Sequence, residues 1–152
     1  MEYTILPLGP EHLAQCALIE QSAQDPWTLA QLQDELDCQQ SGGAARLFVA
    51  LHPQTGQVAG LAAWQLAAGE ASLYTLTTHP QLRRQGVGRC LLAHCLTELT
   101  AQGAQAAFLE VRASNLAAQQ LYRQLGFAEA GRRRNFYADP REDGLVMCRT
   151  LP

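Results

Sequence analysis

The chain has 152 residues, 47% of them hydrophobic and 16% charged, with a formal net charge of −3. That length and apolar content predict one globular domain over residues 1–152 with enough material for a core. A net charge this close to zero argues against bulk nucleic-acid binding, and no apolar run nears the ~20 residues of a membrane span.

The opening MEYTILPLGPEH lacks the basic start and long apolar stretch of a secretory signal, so a cytoplasmic address is expected. Charge is unevenly placed: residues 1–45 hold seven acids and no Lys or Arg, whereas the remainder holds seven acids and eleven arginines. All the basic residues are arginine, which removes lysine-nucleophile and Schiff-base chemistry and leaves base, acid or thiol chemistry. The five cysteines, Cys16, Cys38, Cys90, Cys95 and Cys148, are odd in number and lack ligand spacing. They read as reduced, mostly core residues; the four histidines are scattered singly, and no metal is expected.

In chain order, YTILPL reads as a strand, and Gly9-Pro10 opens a helix with Leu13, Ala17 and Leu18 on its apolar face. After the Asp25-Pro26 break, Thr28 with Gln31 three residues on forms a capping box for a second helix carrying Leu29, Leu32 and Leu36. RLFVAL, QVAGLAAWQL and ASLYTLTT follow as three strands, close enough in sequence to pair antiparallel. Helical spacing of Val87, Leu91, Leu92, Cys95, Leu96 and Leu99 marks a third helix, closed by Gly103. AAFLEVRA is a strand, Asn115 starts a fourth helix that ends at Gly126, and AEAGRRRNFYAD and GLVMCRTL are the last two strands. The order βααβββαβαββ predicts an α/β fold, a mixed and mostly antiparallel sheet flanked by helices.

The stretch THPQLRRQGVGRCLLAHCL joins a strand end near Thr78 to the third helix through two glycines and several arginines. Free N–H groups at a helix start form an anion site, glycines let a ligand approach closely, and arginine adds charge, so a pyrophosphate fits. The loop is neither a Walker loop, since GK[ST] is missing, nor a dinucleotide GxGxxG. A Gly-tolerant turn beside a solvated basic face is the bland alternative.

RRQGVG together with LEVRASNLAAQQLYRQLGF resembles the phosphate loop, strand and Asn-containing helix of the GNAT superfamily of N-acetyltransferases. LEVRASN, LYRQLGF, RRRNFYADPREDGLVM and DPW are similar to the ribosomal-protein alanine N-acetyltransferases of the RimI type, over nearly the whole chain and most firmly over 69–149. The resemblance implies acetyl-CoA as co-substrate, its pyrophosphate held by the amides of Arg84, Gln85, Gly86, Val87, Gly88 and Arg89. It implies that Leu76, Thr77 and Thr78 pair with the pantetheine as an added strand does, and that Asn115 bonds it or caps its own helix. Relatives usually carry an apolar pair where this chain has Thr77-Thr78.

The same resemblance makes Glu110 the general base; otherwise it reads as an ion-pair partner for Arg112, two residues on along the strand. It makes Tyr122, two helical turns after Asn115, the general acid, a residue that spacing alone reads as an amphipathic core tyrosine. Trp27, Glu70 and Tyr137 are candidates for the acceptor groove. The implied acceptor is the N-terminal alanine of a ribosomal protein with a basic tail, reached without direct nucleic-acid or membrane contact. The acidic N-terminal helices, with Asp34, Glu35 and Asp37, are expected to form a groove wall that favours cationic acceptors. A small-amine acetyltransferase and a non-catalytic acyl-CoA-binding regulatory module are the alternatives.

Overall fold

The computed structural model describes residues 2–152. Its helices and strands follow the expected order: β1 (Thr4–Pro7), α1 (Leu13–Glu20), α2 (Leu29–Gln40), β2 (Ala45–Leu51), β3 (Val58–Ala67), β4 (Glu70–Thr78), α3 (Val87–Ala101), β5 (Ala106–Arg112), α4 (Leu116–Gln124), β6 (Ala128–Ala138) and β7 (Arg141–Thr150). Short 3-10 turns at Pro10–His12 and Pro80–Leu82 lead toward α1 and α3.

The expected capping box is formed: the Gln31 N–H donates to Thr28 Oγ1 at 3.1 Å, and the Thr28 N–H donates to Gln31 Oε1 at 2.8 Å. The apolar face of α1 differs from the one read in sequence. Leu18 is 66% exposed, and the buried stripe is Leu13, Cys16, Ile19 and Glu20, spaced three and four residues apart. Leu29 likewise points outward at 51% exposure, while Leu32 and Leu36 are fully buried.

The seven strands form one sheet in the order β1-β2-β3-β4-β5-β7-β6, antiparallel throughout except for the parallel β4–β5 pair. Strand alternation feeds two cores. Leu47 and Val49 of β2 pack with Leu13, Ile19, Leu32 and Leu36 beneath α1 and α2. Phe48 and Ala50 face the other way and join Trp64, Leu91, Leu92, Tyr122 and Phe127 beneath α3 and α4.

One irregularity positions everything that follows. Between β3 and β4 the register shifts, so that Ala63 pairs with Thr75 and Trp64 with Leu73, leaving Tyr74 as the extra residue of a bulge. The β4–β5 ladder runs from Glu70↔Ala106 to Leu73↔Leu109 and stops there. Beyond it β4 stays paired to β3 as far as Thr78, and β5 to β7 as far as Arg112. The two central strands therefore part inside the sheet and leave two facing backbone edges.

The corrected helix faces are tested by paired substitutions. Leu32→Ala is expected to cost about 2–5 kcal/mol of stability, as a buried truncation does, and Leu18→Ala less than about 0.5 kcal/mol. Urea unfolding of both variants measures the difference.

Candidate active site

The parted strands and the start of α3 form one continuous feature. Past Leu73 the N–H and C=O groups of β4 that face β5 have no ladder partner, so this edge is open to an extended ligand. At its far end α3 begins on Gly86, which caps the helix in the left-handed region at φ +82° with no side chain supplying a cap hydrogen bond. The first amides of α3 are thus left to face an anion. A Cβ on Gly86 would meet nothing within 4 Å, and one on Gly88 would make only ordinary contact with Leu121 and Thr78. Packing does not require either glycine; the positive φ requires the first, and open access to the amides accounts for the second. Arg84, also at positive φ (64°), is exposed beside them.

Two cavities lie where β4 and β5 separate. The smaller, about 200 Å³, brings together Leu76 and Thr77 of β4, Glu110 of β5, Asn115 and Tyr122 of α4, and Tyr137 of β6. The larger, about 510 Å³, is lined by Glu70, Phe108, Arg133 and Phe136, and shares Tyr74, Glu110 and Tyr137 with the first. Seven of the residues singled out in sequence, Glu70, Leu76, Thr77, Glu110, Asn115, Tyr122 and Tyr137, therefore converge on the two cavities, while Thr78 and Arg84 to Arg89 line neither. Trp27 does not: it lines a separate hollow with Pro26, Leu18 and Leu29, although its ring centroid is 6.4 Å from that of Tyr74. Asn115 serves as the N-cap of α4, its Oδ1 accepting from the Ala118 N–H at 3.2 Å.

Glu110 is paired, but not with Arg112. Arg133 Nε lies 3.0 Å from Glu110 Oε1, and the Arg133 side chain is largely exposed. Arg112 is buried and committed elsewhere: it holds Asp25 through both carboxylate oxygens, at 2.7 and 2.9 Å, and Glu142 at 3.1 Å. Glu142 is held below the ordinary carboxylate range; burial opposes this, but hydrogen bonds from Ser114 and Arg112 outweigh it. The Tyr122 phenol is pushed up to about 12, first by burial and then by repulsion from Tyr137, so it keeps its proton at any ordinary pH. Tyr137 is pushed to about 12 as well, by burial and by the Glu110 and Asp25 charges. Burial raises the Cys16 and Cys95 thiols to about 12, which leaves them inert as nucleophiles.

The acidic wall expected from α2 is not where the cavities are. Glu35 accepts from Gln65 Nε2 at 3.0 Å and Asp37 from Gln33 Nε2 at 2.9 Å, and Asp34, Glu35 and Asp37 line neither cavity. The acids that line them are Glu70, Glu110 and Asp25.

Comparison with known proteins places the chain in a family. Residues 13–127 match the acetyltransferase (GNAT) family. The chain belongs to the GNAT acetyltransferase family. It is 47% identical over 97 residues to the [ribosomal protein bS18]-alanine N-acetyltransferase of Escherichia coli strain K12, a match covering 62% of this chain and 66% of that one. It is 36% identical over 98 residues to the protein of the same name from Haemophilus influenzae, again 62% and 66% of the two chains. The match thus spans just under two thirds of these relatives. Among solved structures, the ribosomal-protein-S18-alanine N-acetyltransferase from E. coli superposes with a TM-score of 0.86 at 37% identity, over 99% of this chain and 94% of that one. Ard1 from Thermoplasma volcanium, at 23% identity, shares the fold with a TM-score of 0.87, over 100% and 99% of the two chains.

The structure also accounts for Thr77. Glu20, at the end of α1, is 0% exposed. Its carboxylate accepts from Thr77 Oγ1, from Thr75 Oγ1 at 3.0 Å and from the Trp27 N–H at 3.0 Å. An acid in the last turn of a helix faces the negative end of the helix dipole and here has lost its water as well, so these donors are what make it tolerable. Nothing in the sequence flagged Glu20, because an acid beside an apolar helix stripe reads as solvated.

Thr77→Val keeps the shape and removes one donor from a buried carboxylate. The loss is expected to cost about 1–3 kcal/mol, read as a lower urea midpoint at unchanged slope.

Proposed function

We propose that this protein transfers an acetyl group from acetyl-CoA to the α-amine of a protein N-terminus, an alanine followed by a basic tail on a ribosomal protein. The observation that carries the reading is the meeting of Glu110 and Tyr122 in one cavity where β4 and β5 part, beside an open strand edge and an uncapped helix start. The choice of acceptor is supported by the names of the E. coli and H. influenzae relatives and by the acids Glu70, Glu110 and Asp25 around the cavities.

Acetyl-CoA supplies the activated thioester. The amides from Arg84 to Arg89 would hold its pyrophosphate, the free edge over Leu76, Thr77 and Thr78 its pantetheine amides, and Asn115 stays near that edge as a cap. Glu110 takes the proton of the attacking amine, directly or through water. The task is light, because an α-amine has a reference pKa of about 7.7–8.0 against about 10.4 for lysine. Tyr122 faces the departing sulfur as a phenol. A group at about 12 gives up its proton reluctantly to a thiolate, so its first contribution is a hydrogen bond that stabilises the sulfur as charge develops. Glu70 and Tyr137 border the acceptor, while Trp27 acts through Tyr74.

Peptides beginning Ala-Arg or Ala-Lys are expected to be acetylated with higher kcat/KM than Ala-Glu peptides, and all of them better than polyamines or free amino acids. Turnover of small amines alone would place the protein in a different substrate class, and no turnover at all would favour a regulatory acyl-CoA-binding module. Glu110→Gln is expected to lower kcat/KM by about 10²-fold with acetyl-CoA affinity nearly intact. Tyr122→Phe is expected to lower the rate without adding or removing an alkaline limb below about pH 10, because the phenol it replaces does not ionise there.

The phosphate site has its own test. Acetyl-CoA at about 100 times its Kd is expected to stabilise the protein by about 2.7 kcal/mol. Gly86→Asp places a side chain and a negative charge at the start of α3 and is expected to remove most of that increment. The quantity read is the ligand-induced shift in Tm, since the positive φ of Gly86 makes the variant weaker even without ligand.

A further inference from the structure

We propose that Arg112 is a positioning residue for the acceptor, tying the loop between α1 and α2 to the turn between β6 and β7 and so fixing the mouth through which an N-terminus reaches Glu110. The inference rests on the function proposed above. A guanidinium has five N–H donors, and the contacts of Arg112 involve all three of its nitrogens. Nε and Nη2 hold the two oxygens of Asp25, Nη2 also donates to the Asp139 carbonyl at 3.2 Å, and Nη1 donates to the Pro140 carbonyl at 2.8 Å and to Glu142. Asp25 lies 87 residues away in sequence and Asp139 lies 27 away, so one side chain joins two otherwise remote segments.

The guanidinium also stands 4.4 Å above the centre of the Tyr137 ring, and Tyr137 lines both cavities beside Glu110. Arg112 itself is only 4% exposed. A buried cation is costly unless every donor is used, and this one is used on the two segments that frame the site rather than on the core. Lysine would keep the charge and lose the planar fork that grips Asp25. A residue that served stability alone would change the melting temperature and leave the acceptor KM in place.

Three variants of the full chain separate these possibilities. Asp25→Asn loosens the clamp from the loop side and Glu142→Gln from the turn side; Glu142 lines neither cavity, so its effect cannot come from touching the acceptor. Both are expected to raise the KM for an Ala-peptide by about 5–10-fold with kcat within about 2-fold and the acetyl-CoA KM unchanged, and Arg112→Lys to raise it further. Amide hydrogen exchange is expected to quicken in both 23–28 and 139–142 for either single variant. An unchanged peptide KM in Glu142→Gln, or exchange that quickens only on the substituted side, would overturn the proposal. If the wild-type chain acetylates no peptide, the functional reading fails, and the exchange experiment still decides whether Arg112 couples the two segments.

Discussion

The rest of the site depends on the separation of two strands that begin as neighbours. β4 and β5 share four rungs of a parallel ladder and then diverge at the bulge on Tyr74. An unpaired strand edge inside a sheet is unfavourable unless something else satisfies it. Here the edge opens toward an uncapped helix start at one end and toward Glu110 and Tyr122 at the other. The defect is sustained because each strand keeps its outer partner: β3 continues beside β4 to Thr78, and β7 beside β5 to Arg112.

Much of this frame was legible in the sequence because it rests on local periodicity. Strand alternation, the Thr28–Gln31 capping box and the two-glycine helix start are short-range patterns, and each leads to the observed element. The bulge was not legible. ASLYTLTT reads as an uninterrupted strand, and nothing in it says that Tyr74 stands outside the register. The face of α1 was misread for a related reason: Leu18 looked like core by residue type, whereas the positions that meet the sheet are set by the angle at which the helix docks, and they are filled by Cys16 and Glu20.

Side-chain partners were the least legible part, because a charge names its need but not its partner. Glu110 and Arg112 sit two apart on one strand and would have made a plausible pair. The structure gives each a distant partner instead, Arg133 for Glu110 and Asp25 with Glu142 for Arg112. The two outcomes differ in energetic weight. Arg133 is largely exposed, and such pairs contribute about 0–1 kcal/mol, so Glu110 stays available to a substrate cation. Arg112 is buried and bound in fork geometry, so it serves as a fixed point.

The acidic N-terminal segment gains a different meaning from this. A surplus of acids over residues 1–45 suggests a long-range field, yet the acids that matter are those held at short range. The segment from Glu20 to Trp27, which has no regular structure after α1 ends, is fastened at three points: Glu20 receives the Trp27 amide and the β4 threonines, Ser22 receives Arg83 through its carbonyl at 3.4 Å and its hydroxyl at 3.2 Å, and Asp25 receives Arg112. Those three anchors lie on β4, just before the two-glycine start of α3, and on β5 respectively. A loop fixed to all three has little freedom to move independently of any of them. Its geometry is therefore set by β4, β5 and the loop before α3 together, and the acids Glu20 and Asp25 are there as its fastenings.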